Sequence, residues 1–222
     1  MSAAVEKPTP AYTSRMDTRT VRPMQMRPEM VSALQRGQKT EERRLLMRPG
    51  KVVKSAVITA SQALGQCRIV MREDDVFGAR MDDEFLPSPY GAPGDLIWIQ
   101  EPWLGDATRP ETVEYCADCE VQKTGWNPAS MMPPECSRWT LEIQEVVAEP
   151  LCAIDEKGAR AAGLEPETDA GGNVIRSARD VFAREWGYSP DYGWQINPMV
   201  WIYRFTSHRV NFLRAMSDVK PG

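Results

Sequence analysis

The chain has 222 residues, 42% of them hydrophobic and 26% charged, with a formal net charge of −4. That length suits one large domain with insertions and a sizeable core, and the acidic balance excludes a general, salt-driven coat of positive charge on nucleic acid. A single histidine, His208, excludes a multi-histidine metal centre, and any Ser-His-Asp triad would have to use that one residue.

Residues 1–20 are polar, carry early prolines and show no apolar period, so they are expected to form a flexible arm. Val21 to Met26 predicts a short strand. Pro28 suits a first helical turn, Met30, Val31 and Leu34 follow at helical spacing, and Gly37 stands where a C-cap belongs. Lys39 to Arg44 therefore falls at a turn or strand start. Ser55 to Phe85 has no clear period and holds acidic knots at Asp74-Asp75 and Asp82-Asp83-Glu84. After a proline- and glycine-rich lead-in, Leu96-Ile97-Trp98-Ile99 predicts a buried strand. Val113 to Cys116 predicts another, and Gly125 to Glu135 is turn-rich. Trp139 to Val147 alternates as a strand does. Ile154 to Ala162 predicts a short helix ended by Gly163, and Ser177 to Trp186 an amphipathic one. Met199 to Phe205 predicts a closing strand, and Val210 to Met216 a short terminal helix. Short strands separated by loops and a few helices, without regular βαβ units, indicate an α+β fold with a small barrel-like sheet.

No run of 18 apolar residues is present, so no membrane span is expected. The start of the chain lacks a signal-peptide core. Five cysteines, an odd number without a small disulfide framework, point to a reducing cytoplasm.

The densest functional signal is Gly37-Gln38-Lys39-Thr40-Glu41-Glu42-Arg43-Arg44, with three cations and a hydroxyl gathered within six residues. Lys39, Arg43 and Arg44 could meet a phosphate or a base edge, arginine through its planar fork. The plainer alternative is a solvated turn paired with Glu41 and Glu42, at about 0–1 kcal/mol per pair. Thr40 could bond a ligand or cap its own turn. Trp103 and Trp126 could stack a base, and Glu101 could accept from a base amino group, whereas Trp98 lies in an apolar strand and belongs to a core. Cys116, Cys119 and Cys136 could begin a zinc site, but no fourth ligand is evident and free thiols are the default. Asp180 and Arg184 are spaced as a solvated ion pair. No cofactor is expected.

In the order of its segments the chain resembles the ASCH family, a branch of the PUA-like β-barrels, in its phage and prophage versions. The stretches that carry the resemblance are Arg22-Pro23-Met24, Gly37-Gln38-Lys39-Thr40 with Arg43-Arg44, Tyr90 through Trp103, Trp126-Asn127-Pro128, Ser137 through Ile143, Ala161 through Leu164, and Trp194 through Trp201. They cover about residues 21–206, leaving 207–222 as a tail or short helix. The resemblance implies a small PUA-like β-barrel with flanking helices and long loop insertions. It also implies a cleft for RNA or a modified nucleoside or nucleotide, with the cleft expected at Lys39 to Arg44, Glu101 to Trp103 and Trp126. One branch of the family looks like an amidohydrolase acting on acylated cytidine through a lysine, a threonine and a glutamate. The lysine matches Lys39, but Glu42 stands at the threonine position and Ala162 at the glutamate position, which argues against copying that activity.

Three readings follow. The first is an RNA- or nucleoside-binding module. The second is a nucleoside amidohydrolase or ribonuclease using Lys39. The third is a phage morphogenesis or host-takeover protein that binds a protein partner through its N-terminal arm. A phage-encoded chain would act in the host cytoplasm.

Overall fold

The computed structural model describes residues 19–48, 51–53, 57–61, 66–72, 81–119 and 123–217. The expected arm lies almost wholly outside them, as does Asp74-Asp75. In chain order the elements begin with β1 (Val21–Gln25), α1 (Pro28–Gln35), β2 (Glu41–Leu45), β3 (Met47–Arg48), β4 (Lys51–Val52), β5 (Val57–Ser61), β6 (Gln66–Arg72) and β7 (Met81–Pro87). They continue with β8 (Leu96–Gln100), β9 (Trp103–Leu104), β10 (Glu114–Tyr115), β11 (Thr140–Pro150) and α2 (Glu156–Ala161). The last are β12 (Glu167–Thr168), β13 (Val174–Arg176), α3 (Ala178–Trp186), β14 (Met199–His208) and α4 (Phe212–Ser217).

The fold is α+β, built on a five-stranded mixed sheet in the order β1-β8-β11-β14-β2. Only β1 and β8 run parallel within it; the other pairs are antiparallel. Pro23 is tolerated because β1 is an edge strand, where a missing N–H breaks no ladder. The opposite edge, β2, is highly charged, which blunts it against pairing with another chain. The two edges nonetheless approach each other. The side chain of Arg44 on β2 donates from Nη2 to the Gln25 carbonyl on β1 at 2.7 Å.

Two strands are buried on both faces, and this explains their unbroken apolar runs. On β14, Trp201, Tyr203 and Phe205 enter the main core with Met24, Ile97, Ile99, Leu141 and Ile143. Val200 and Ile202 turn the other way, onto Leu151, Ala159, Ala178 and Phe182 beside α2 and α3. On β8, Ile97 and Ile99 join the main core, while Trp98 packs into a third cluster with Trp103, Met132 and Phe212.

Several local expectations hold. Pro28 opens α1, and Gly37 follows it at φ +69°. Ser177 caps α3, accepting from the Asp180 N–H, and Gly163 follows α2 at φ +96°. Others need correction. The stretch without clear period contains a three-stranded sheet, β5-β6-β7, and Asp82-Asp83-Glu84 lie within β7 rather than in a knot between elements. The Val113 to Cys116 strand shrinks to the two residues of β10. Asp180 bonds Ser177 and Arg184 pairs with Glu167 at 2.6 Å, so the two do not pair with each other.

Leu141 is fully buried near the start of β11, where the strand pairs with both β8 and β14. Leu141→Ala should lower the unfolding free energy by about 2–5 kcal/mol, the loss typical of a buried leucine that leaves a cavity. Urea denaturation of the two proteins checks this.

Candidate functional site: a charged cleft between the sheet edges

Lys39 is placed by three segments at once. Gly37 turns the chain at the end of α1, and the N–H groups of Gln38 and Lys39 both bond the Ala33 carbonyl, at 2.9 and 3.2 Å. Thr40 N–H then bonds the Ala161 carbonyl at the end of α2, at 2.8 Å. The Lys39 side chain, 2% exposed, continues along the same helix end. Its Nζ donates to the Ala162 carbonyl at 2.7 Å and to the Glu41 carbonyl at 2.8 Å, and it pairs with Glu42 Oε2 at 2.8 Å. An ammonium has three N–H donors, and all three have partners here. Lys39 thus closes the C-terminal end of α2, where free carbonyls and the negative dipole end favour a cation.

Successive residues of a strand point to opposite faces, and β2 sorts its charges by this rule. Glu42 and Arg44 sit opposite Tyr203 and Trp201 of β14 and share their inward side. Glu42 Oε1 lies 2.9 Å from Arg44 Nε, an ion pair off the N–H axis rather than an aligned hydrogen bond. Glu41 and Arg43 face outward, where Arg43 donates from Nε to Glu41 and from Nη1 to Glu149, each at 2.8 Å. Arg204 pairs with Glu41 at 3.2 Å and also with Glu145. The expected basic cluster is therefore two ion networks on opposite faces.

The inward network forms the floor of a cleft of about 260 Å³. Its walls come from Met26 and Met30 at the start of α1, Leu164 after α2, and Phe182 and Trp186 on α3. Trp186 is half-buried, stacks on Phe182 with ring centroids 5.8 Å apart, and donates from Nε1 to the Tyr192 carbonyl at 2.7 Å. Arg27 and Glu185 pair across the rim at 3.0 Å. Burial pushes the Glu42 carboxyl up, but the charges of Lys39 and Arg44 outweigh it and hold Glu42 below the usual carboxylate range. It is an ionised acceptor at neutral pH. No residue lining the cleft carries a hydroxyl, thiol or imidazole.

The remaining sequence candidates do not join this cleft. Thr40 is exposed and lines a separate outward cavity with Glu41, Arg43 and Arg204. Arg43 contributes to the cleft wall, but its guanidinium is committed to the outward network. Glu101 is 1% exposed and is held by both forks of Arg138, at 2.8 and 2.9 Å, while burial drives its carboxyl upward. Trp103 is buried in the third cluster and offers no free face. Trp126 is half-buried in the loop beside it, away from the cleft lining. Cys116, Cys119 and Cys136 are free, and among the described residues no group of three or more His, Cys, Asp and Glu side chains is placed to hold a metal ion. The sequence reading missed Trp186, Met26, Met30 and Leu164, whose helical or terminal positions read as ordinary core.

Gly163 is indispensable here. A Cβ at this position would lie 3.0 Å from Ala33 Cβ and 3.2 Å from Lys39 Cβ, on a backbone at φ +96°. Gly163→Ala should cost about 1–3 kcal/mol of stability, measured by urea denaturation. The lowered Glu42 pKa also sets a pH dependence. Its stabilising contribution is complete above the unfolded value, about 4.3, and is lost as pH falls through the lower folded value. The stability gap between the wild type and Glu42→Gln should shrink on acidification through that window; a gap constant down to about pH 3 would contradict the assignment.

Compared with family models, with curated proteins and with solved structures, the chain matches none of them.

Proposed function

We propose that the chain is an ASCH-type, PUA-like module that holds a nucleobase in the cleft between its sheet edges, from RNA or from a modified nucleoside. The curled sheet, with Arg44 spanning from β2 to β1, supports the barrel-like reading. The observation that carries the function is the floor of the cleft. Glu42 is ionised, and each of its oxygens meets one cation, leaving lone pairs for a ligand. Arg44 supplies a donor beside it. A ligand must therefore present an N–H donor next to an acceptor, as the Watson–Crick edges of cytosine, adenine, guanine and uracil all do. Trp186 gives the base a face to stack on. At about 260 Å³ the cleft lies just below the usual range for drug-sized ligands, about 300–1,000 Å³. That size suits a base or a nucleoside and excludes a folded duplex.

Recognition is favoured over catalysis by the state of Lys39. With every N–H committed, its nitrogen has no lone pair to act as a base or nucleophile. Glu42, its pKa lowered, is a weak base at neutral pH.

Titration of the four common nucleosides, followed by tryptophan fluorescence, tests this reading. At least one of the four should bind and change the fluorescence, through an amino N–H or, for uridine, N3–H. Glu42→Gln should weaken that binding by about tenfold or more, the usual loss for a charge-assisted hydrogen bond. Absence of binding by every nucleoside would overturn the proposal.

A further inference from the structure

The cleft does not end at Trp186. A second chamber of about 460 Å³ opens on the other side of it, lined by Arg44, Leu45, Pro89, Tyr90 and Tyr192 as well as Trp186 itself. Arg43, Arg44 and Trp186 line both chambers, so the two adjoin along one wall. The outer chamber is aromatic where the inner one is charged. Tyr90 is fixed edge-on against Tyr203, with centroids 5.4 Å apart and planes at 89°. Tyr192 is 46% exposed, and its segment is tied to Trp186 through the Nε1 bond to the Tyr192 carbonyl. Between the chambers stands a cation with capacity left. Arg44 Nε lies 2.9 Å from Glu42 Oε1 without an aligned hydrogen bond and Nη2 donates to the Gln25 carbonyl, while Nη1 has no protein partner among the described residues.

We infer that this outer chamber is a second nucleotide subsite, and that the ligand is a single-stranded RNA segment rather than a free nucleoside. The inference rests on the inner cleft holding a base. One base enters the inner chamber, the linking phosphate meets Arg44, and the next base stacks against Tyr192 in the outer chamber. The chemistry fits each part. A phosphate diester needs a cation with a free N–H at the junction, and a base of any identity is satisfied by an aromatic face. Specificity thus belongs to the inner chamber and reach to the outer one. A net charge of −4 agrees with so local a contact.

The test compares cytidine, adenosine and guanosine with the dinucleotides CpC, ApA and GpG, on the wild type, Tyr192→Ala and Tyr192→Phe. The matching dinucleotide should bind about 5- to 100-fold more tightly than the nucleoside, the gain expected from one stacked base. Tyr192→Ala should remove that gain and leave nucleoside affinity unchanged, because the bond from Trp186 reaches the Tyr192 backbone. Tyr192→Phe should keep it. Nucleosides binding as tightly as dinucleotides would overturn the second subsite alone. A gain that survives Tyr192→Ala would overturn its assignment to this chamber. Binding of neither class would overturn the inner cleft as well.

Discussion

The organisation of the site depends on one buried ammonium. Placing the Lys39 charge where it is 2% exposed carries a desolvation penalty that only complete pairing offsets. Its three acceptors come from the start of β2, the end of α2 and the Glu42 side chain. Satisfying them forces the end of α2 against the loop that leaves α1. That approach leaves a Cβ at residue 163 only 3.0 Å from Ala33 Cβ and 3.2 Å from Lys39 Cβ. It also draws the Glu42 carboxylate inward and keeps it ionised, which makes the cleft floor polar while its walls stay apolar. Removing the cation would undo the helix end, the strand entry and the floor together.

Strand alternation explains why a dense run of charge yields two ion networks instead of a basic patch. Had Lys39 to Arg44 formed a turn, all three cations could have gathered on one surface. As a strand, Glu41 with Arg43 and Glu42 with Arg44 each form a pair two residues apart on one face. Each face is then nearly self-neutral. Long-range attraction of this segment for a polyanion is therefore weak, as the acidic balance of the whole chain also implies.

Much of this architecture could be read from local residue patterns, and the failures have specific causes. Proline at the first helical turn, glycine after the last one, and apolar runs of strand length fixed α1, α2, α3, β8, β11 and β14 to within a few residues. The Lys39, Glu42 and Ala162 positions, singled out by resemblance, do converge in space. What escaped reading was nonlocal. Glu101 reads in the sequence as an acceptor open to a base amino group because its partner, Arg138, lies 37 residues away. Trp103 followed a proline in a loop, yet three distant segments bury it. Trp186 read as core because its spacing on α3 is that of a packed face, and only the gap beside β1 and β2 turns part of that face into a cleft wall. The alternation of β14 was hidden because both of its faces are covered, so burial erased the period that normally reveals a strand.

The site also follows from how the sheet ends. A sheet closed by backbone pairing of β1 with β2 would have no gap there, and one left flat would have no enclosed cleft. Here the edges are held by a side chain. Arg44 reaches across to the Gln25 carbonyl, an edge acceptor left open because β1 pairs only with β8. A side-chain staple leaves room for a ligand that a backbone ladder would not. It also places one residue at both the seam and the cleft, since the same guanidinium holds the edges, pairs with Glu42 and borders both chambers. On the proposed function, a ligand that engages Nη1, which has no partner among the described residues, would order the staple as it binds. Because binding to the folded state alone stabilises it by mass action, ligand affinity and seam stability would then be linked through Arg44.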